Sequence, residues 1–244
     1  MHLRRLRRAS RSVSDSLGCD EPFGQKREER VMALHPSVPP ATVQRLPLYL
    51  RCLIQLQAQR IHVAKSVEIA EIAGTNAAQV RKDFSYLGEY GVRGQGYQVD
   101  ELVAHLTRWL GLQSSRNVAL VGFGRLGSAL RGYGGFQDRG FSISAVFDAA
   151  SDKVGTMVAD GIVVEPLERM PEVVAEQGIE IAILTVPVDV VQEVADRVVA
   201  SGVRAILNFA PVRLEAPEGV IVRQADVAAE LQILSYHLST ESDG

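Results

Sequence analysis

The chain has 244 residues, 46% hydrophobic and 23% charged, with a formal net charge of -3, enough for one large domain or two ordinary ones with proper cores. No apolar run approaches the ~20 residues that span a bilayer, and no apolar stretch follows the arginine-rich start as an export signal requires. Two cysteines make neither a disulfide framework nor a metal set, so the chain reads as a globular cytoplasmic protein with Cys52 as a small core residue.

Charge divides unevenly along the sequence. Residues 1–36 hold eight Lys and Arg against five Asp and Glu, residues 37–111 eight against six, and residues 112–244 ten against eighteen, giving +3, +2 and −8. A basic part ahead of an acidic one suits an N-terminal half that meets a polyanion. Residues 1–36 mix Arg, Ser, Glu and Gly without periodicity and read as a disordered basic tail. From Ala41 to about Gln59, the residues Val43, Leu46, Leu50, Leu53, Ile54 and Leu56 follow helical spacing, with Thr42 as a cap. Ser66 to Ala73 predicts a second, short helix, capped by Ser66 and buried through Ile69, Ala70 and Ala73. Gly74-Thr-Asn76 breaks the chain before a third helix from Ala77 to Leu87, an order that predicts a helix-turn-helix.

On the third helix Ala77, Val80, Phe84 and Leu87 share one stripe, leaving Gln79, Arg81, Lys82, Ser85 and Tyr86 on the other faces. Arg can bond guanine bidentately, Gln can read adenine, and Lys, Ser and Tyr suit phosphates. On an isolated helix these residues would mean only a solvated face; their place after a helix and turn favours the DNA reading. Tyr90 to Val99 brings three glycines, Arg93 and β formers, a hairpin read as a wing whose Arg93 suits the minor groove. A helix over Asp100–Leu110 turns Leu102, Val103, Leu106 and Leu110 inward. Gly111 to Ser115 is a polar joint that closes a winged helix domain at 37–111.

Val118-Ala-Leu-Val-Gly-Phe-Gly-Arg-Leu-Gly-Ser-Ala-Leu130 then runs an apolar strand into three glycines and a helix former segment. Gly122 permits a tight turn, Gly124 lets backbone approach phosphates, and Gly127 lets the helix pack close to the sheet, which together fit a dinucleotide's pyrophosphate. A second strand, Phe141 to Phe147, ends at Asp148, where an acid would accept from the adenosine ribose and favour NAD(H) over NADP(H). The plain alternative is an Asp that merely ends a strand. Strands at Ile162–Val164, Ile179–Val186 and Ala205–Phe209, with helices around Pro171–Glu176 and Val188–Ala200, predict a mostly parallel sheet with right-handed crossovers, an α/β Rossmann domain over 112–222. A last helix, Ala225 to Leu238, carries Val227, Leu231, Ile233, Leu234 and Tyr236, too apolar for a solvated terminus and suited to burial in a partner.

Taken together, these segments resemble the Rex family of redox-sensing bacterial transcriptional repressors from Val38 to Thr240. The resemblance rests on Pro40-Ala-Thr-Val-Gln-Arg-Leu-Pro-Leu-Tyr-Leu-Arg51, Gln79-Val-Arg-Lys-Asp-Phe-Ser-Tyr-Leu-Gly88, Gly94-Gln-Gly-Tyr97, Gly122-Phe-Gly-Arg-Leu-Gly127, Leu184-Thr-Val-Pro187 and Ile206-Leu-Asn-Phe-Ala-Pro211. It implies a homodimer on double-stranded DNA with an inverted-repeat operator, contacted by Arg81, Lys82 and Arg93, and with the segment 223–244 exchanged between subunits. It implies a site for NADH and NAD+ built from Gly122, Phe123, Gly124, Arg125, Leu126 and Gly127. Asp148 would hold the ribose, and Thr185, Val186, Pro187, Asn208 and Phe209 would border the nicotinamide. A switch is implied in which Asp226 pairs with Arg51 in one state and with Tyr133 in the other. NADH binding would release the operator and derepress genes for NADH reoxidation, with no catalytic residue and no metal.

Two other readings compete. An NAD-dependent dehydrogenase with an added N-terminal module would need a substrate domain and a histidine paired with a carboxylate; none of the five histidines, at positions 2, 35, 62, 105 and 237, offers that within the nucleotide segment. A CoA-ligase-like subunit shares the glycines but leaves the winged helix unexplained.

Overall fold

A computed structural model describes residues 38–88, 91–92 and 95–241. The expected tail at 1–36 and the wing-tip Arg93 lie outside the described residues. The chain divides into two compact units, one running to Val103 and one from Ala104.

The first unit contains α1 (Pro40–Ala58), β1 (Val63–Ala64), α2 (Ser66–Ala73), α3 (Ala77–Ser85), β2 (Gly91–Val92), β3 (Gly96–Gln98) and the start of α4 (Val99–Trp109). Pro40 opens α1 at a first-turn position where its missing N–H leaves no bond unmade. Leu46, Tyr49, Leu50, Cys52, Leu53 and Leu56 form the buried face of α1, which leaves Val43 and Ile54, expected inside, about half exposed at 47% and 49%. Thr42 is not a cap, because the helix has already begun; its side chain is buried and turned inward. Nor is Ser66: α2 starts behind Lys65, whose backbone N–H donates to the Glu68 carboxylate at 2.6 Å. Gly74, at φ +62, closes α2, and Asn76 caps α3 by accepting the Gln79 N–H at 2.8 Å. β3 pairs antiparallel with both β1 and β2, giving the small sheet of a winged helix in the order β1-β3-β2. Gly96, at φ +93, passes so close to β1 that a Cβ would lie 2.6 Å from the Ala64 carbonyl oxygen.

The second unit continues with β4 (Arg116–Val121), α5 (Arg125–Arg131), β5 (Phe141–Asp148), β6 (Val164–Pro166), α6 (Met170–Gln177), β7 (Ile181–Leu184), α7 (Val191–Ala200), β8 (Ala205–Asn208), β9 (Ile221–Gln224) and α8 (Val227–Glu241). All sheet pairings are parallel, in the order β6-β5-β4-β7-β8-β9, the doubly wound order of a Rossmann domain. Both faces are apolar, as a parallel sheet between helices requires. Along β4, Ala119 and Val121 meet Met170, Val174, Val191 and Val198, whereas Val118 and Leu120 face the side of Leu130, Phe136 and Phe141.

Several boundaries differ from the sequence-based expectation for local reasons. Val163 bridges Met157 across a tight loop, so β6 begins two residues later and extends to Pro166. β7 stops at Leu184, because Thr185 turns its hydroxyl onto the Gly122 carbonyl and Pro187 has no N–H for a ladder. α8 begins at Val227 rather than Ala225, since Asp226 accepts the Ala229 N–H at 3.0 Å and so precedes the helix. The strand β9 was not anticipated; it pairs with β8 and places Gln224 beside Asn208.

Candidate functional site

The glycine turn lies at the carboxyl ends of β4, β5 and β7, beside the point where strand order reverses from β4 to β7, where ligands of such sheets bind. The three glycines differ in what surrounds them. At Gly122, φ +96, a Cβ would lie 2.7 Å from the Thr185 carbonyl oxygen and 2.9 Å from Val186 Cγ1. At Gly127 it would lie 2.0 Å from the Gly122 carbonyl oxygen. At Gly124 it would meet nothing within 4 Å. Two glycines are therefore demanded by the protein's own packing, while the third faces open space at the start of α5, which fits a pyrophosphate approaching the backbone. Arg125 and Leu126, at the start of α5, are exposed, and Phe123 is half-buried against the sheet.

Asp148 is buried and already engaged. It accepts the Phe123 N–H at 2.6 Å, the Ala150 N–H at 2.8 Å and the Lys153 ammonium at 3.0 Å. Burial works to raise its pKa, but these donors outweigh it and hold the carboxyl below the usual range. Three bonds leave a carboxylate room for another donor, so Asp148 latches the glycine turn to β5 and still offers an acceptor at the strand end. Thr185 is similarly tied, its hydroxyl donating to the Gly122 carbonyl at 2.6 Å.

Asn208 is fully buried, and its amide donates to the carbonyls of Ala210 and Val212 and to Gln224, while its oxygen accepts the Ala210 N–H. It shapes the turn after β8. Phe209 packs on the same sheet face as Phe123, and its N–H donates to the Leu184 carbonyl at 3.0 Å. Val186 is half-buried and Pro187 exposed. A concavity of about 950 Å³ opens beyond this turn, lined by Pro211 to Ala216, Val220, Val222, Gln224 and Asp226.

Of the expected switch residues, Tyr133 is half exposed at 52%, edge-on to Phe136 and within 3.4 Å of an Arg139 donor. Asp226 is exposed and caps α8. Arg51 is exposed on α1 of the first unit.

In that unit α3 presents Arg81, Lys82 and Ser85 to solvent, with Tyr86 half-buried at its end, while Val80 and Phe84 are buried. Arg81 is steadied by donating to the Ser66 hydroxyl at 2.9 Å, and the Ser85 hydroxyl donates to the Lys82 carbonyl. Gln79 is half-buried; its side-chain amide donates to Asp83 at 2.9 Å. Asp83, which the periodicity did not single out, is fully buried and also accepts from Thr42 (2.8 Å), Tyr49 (2.7 Å) and both Nε and Nη2 of Arg45 (2.6 and 2.7 Å). Burial pushes its pKa up, yet the Arg45, Tyr49, Thr42 and Gln79 bonds prevail and hold it at about 2; burial and this carboxylate push the Tyr49 phenol upward.

Two family models match the chain, "CoA binding domain" over residues 113–212 and "Putative DNA-binding protein N-terminus" over residues 37–85. The redox-sensing transcriptional repressor Rex of Streptomyces griseus is 50% identical over 200 residues, covering 82% of this chain and 79% of that one. The Rex of Syntrophomonas wolfei is 45% identical over 202 residues, 83% of this chain and 96% of that one. Among solved structures, RSP, a Rex-family repressor, in complex with β-NAD+ and operator DNA is similar with a TM-score of 0.79 at 35% identity, over 85% of this chain and 95% of that one. RSP in complex with β-NADH is similar at 0.76 and 34%, over 85% and 97%.

Proposed function

Because the chain belongs to the Rex family of redox-sensing transcriptional repressors, we propose that it holds an inverted-repeat operator and releases it when NADH, rather than NAD+, fills the nucleotide site. The observation that carries this reading is the presence in one chain of a winged helix with a basic exposed face on α3 and a parallel sheet whose glycine turn is open only at Gly124. We assign the winged helix to residues 37–111, the nucleotide domain to 112–222 and the exchanged helix to 223–244 of a homodimer.

In this reading the turn from Gly122 to Gly127 holds the pyrophosphate through the backbone N–H groups that begin α5, since those of Gly122 and Phe123 already donate to Phe147 and Asp148. Asp148 takes the ribose, and Thr185 to Pro187 with Asn208 and Phe209 shape the nicotinamide side. Bound nucleotide supplies no reaction here, only a ligand whose fit depends on its redox state. The strand-end groups Asp148, Thr185 and Asn208 are tied to backbone they position, which favours a sensor over an enzyme. Arg81, Lys82, Ser85 and Tyr86, with Arg93 of the wing, serve the operator; Arg51, Tyr133 and Asp226 form the switch. A repressor works where its operator is, so the site of action is the cytoplasm.

The dimer has two forms. One fits adjacent major grooves, and the other binds NADH better, so each ligand weakens the other by the same factor. For NAD+ to leave repression intact it must either bind both forms similarly or occupy the site without closing it. Binding to an operator selected from random DNA, titrated with NADH and separately with NAD+ at fixed salt, tests the proposal. NADH alone is expected to dissociate the complex; equal indifference to both nucleotides at saturation would overturn it.

A further inference from the structure

We propose that Asp83 is the positioning residue of the operator-reading helix α3, and that Gln79 belongs to this clamp instead of reading a base. The inference rests on the DNA-binding role proposed above and assigns roles within it. Its basis is the distribution of bonds on one carboxylate. Oδ1 of Asp83 accepts from Thr42, Arg45 Nη2 and Gln79, and Oδ2 accepts from Arg45 Nε and Tyr49. Thr42, Arg45 and Tyr49 stand at i, i+3 and i+7 on α1, one face of that helix. Five donors from two helices thus meet one fully buried group on α3.

A buried ion pair is weak evidence for stability, since an apolar contact of similar volume often does as well; what its directed bonds add is a single arrangement. Here that arrangement is the rotation of α3 about its own axis. Phe84 adds a second constraint, edge-on to Tyr49 at 5.3 Å and to Tyr97 at 5.1 Å. Arg81, Lys82 and Ser85 lie within two residues of Asp83 on the same short helix and turn with it. Neighbouring helical residues point about 100° apart, so a modest rotation would carry Arg81 and Lys82 off the base edges. Gln79 has given its amide protons a buried partner four residues along the helix, and reading adenine would require breaking that bond.

The test uses the full-length protein and an operator selected for the wild type. Asp83→Asn, Thr42→Val and Gln79→Ala are compared for operator binding, binding to unrelated duplex DNA, NADH binding and thermal melting. Asp83→Asn is expected to lower operator affinity at least about tenfold, with unrelated-DNA binding and its salt slope unchanged within about twofold, because phosphate contacts tolerate a turned helix. Should Asp83→Asn fail to fold, Thr42→Val removes one donor at nearly constant shape and is expected to lower the operator-to-unrelated ratio about two- to fivefold in folded protein. Gln79→Ala is expected to weaken every single-base operator variant by one common factor.

A merely structural carboxylate would lower the melting midpoint and leave the operator-to-unrelated ratio of folded protein unmoved. That result, or a Gln79→Ala change confined to one base pair, overturns the proposal. Failure of the wild type to select any operator would instead overturn the DNA-binding reading beneath it.

Discussion

At Gly127 a Cβ would lie 2.0 Å from the Gly122 carbonyl oxygen, while at Gly124 it would meet nothing. Gly127→Ala must push α5 off the sheet and is expected to lower the melting midpoint and lose nucleotide binding. Gly124→Ala is expected to fold, hold the operator and bind NADH at least about tenfold more weakly, a loss of about 1.4 kcal/mol; calorimetry with NADH and melting curves separate the two. The glycine spacing was legible because Gly122 and Gly127 answer local packing demands, whereas Gly124 stands open where phosphates are proposed to approach. The partners of Asp83 were not, because Thr42, Arg45 and Tyr49 precede it by 34 to 41 residues and only tertiary packing brings them together. Asp148 was legible as an acid at a strand end but not as the latch on Phe123, a contact across 25 residues. Since Asp83 is held at about 2, its contribution to stability is present above the ordinary carboxylate range near 4 and is lost as pH falls through about 2. The advantage of wild type over Asp83→Asn in chemical denaturation is therefore expected to shrink by on the order of 2 kcal/mol across that interval; an advantage constant from pH 5 to pH 2 would contradict the assignment.

The elements were legible wherever a single period governs them. α3 follows its stripe closely because one face must be buried, while β4 reads as an unbroken apolar run because both its faces are covered. Ends were less legible, because they depend on which group takes an orphaned backbone bond: Lys65 and Glu68 start α2, Asp226 starts α8, and Thr185 ends β7. β9 escaped because its four residues are mostly exposed and carry no alternation that sets a strand apart. On α8, Val227, Leu231, Leu234 and Tyr236 are 59–65% exposed, a cost that the proposed exchange between subunits would remove. Leu231→Glu with Leu234→Glu is accordingly expected to sediment as a monomer and to bind the palindrome at least about a hundredfold more weakly, as one half-site is lost. A dimer of unchanged stability would place the interface elsewhere.

At the scale of the whole molecule, the proposed function is a coupling between two ligands held by two units of one chain. A winged helix alone would bind DNA without regard to redox state, and a Rossmann domain alone would bind nucleotide without consequence for transcription. Coupling requires only that the two forms of the proposed dimer differ in affinity for both ligands, and it then runs in both directions. The decisive measurement is the NADH Kd of the wild-type protein, free and saturated with operator, at one salt concentration. Operator is expected to weaken NADH by the same factor by which NADH weakens operator, within the usual range of about 5- to 150-fold, with NAD+ nearly unaffected. An NADH Kd that is identical with and without operator would contradict it.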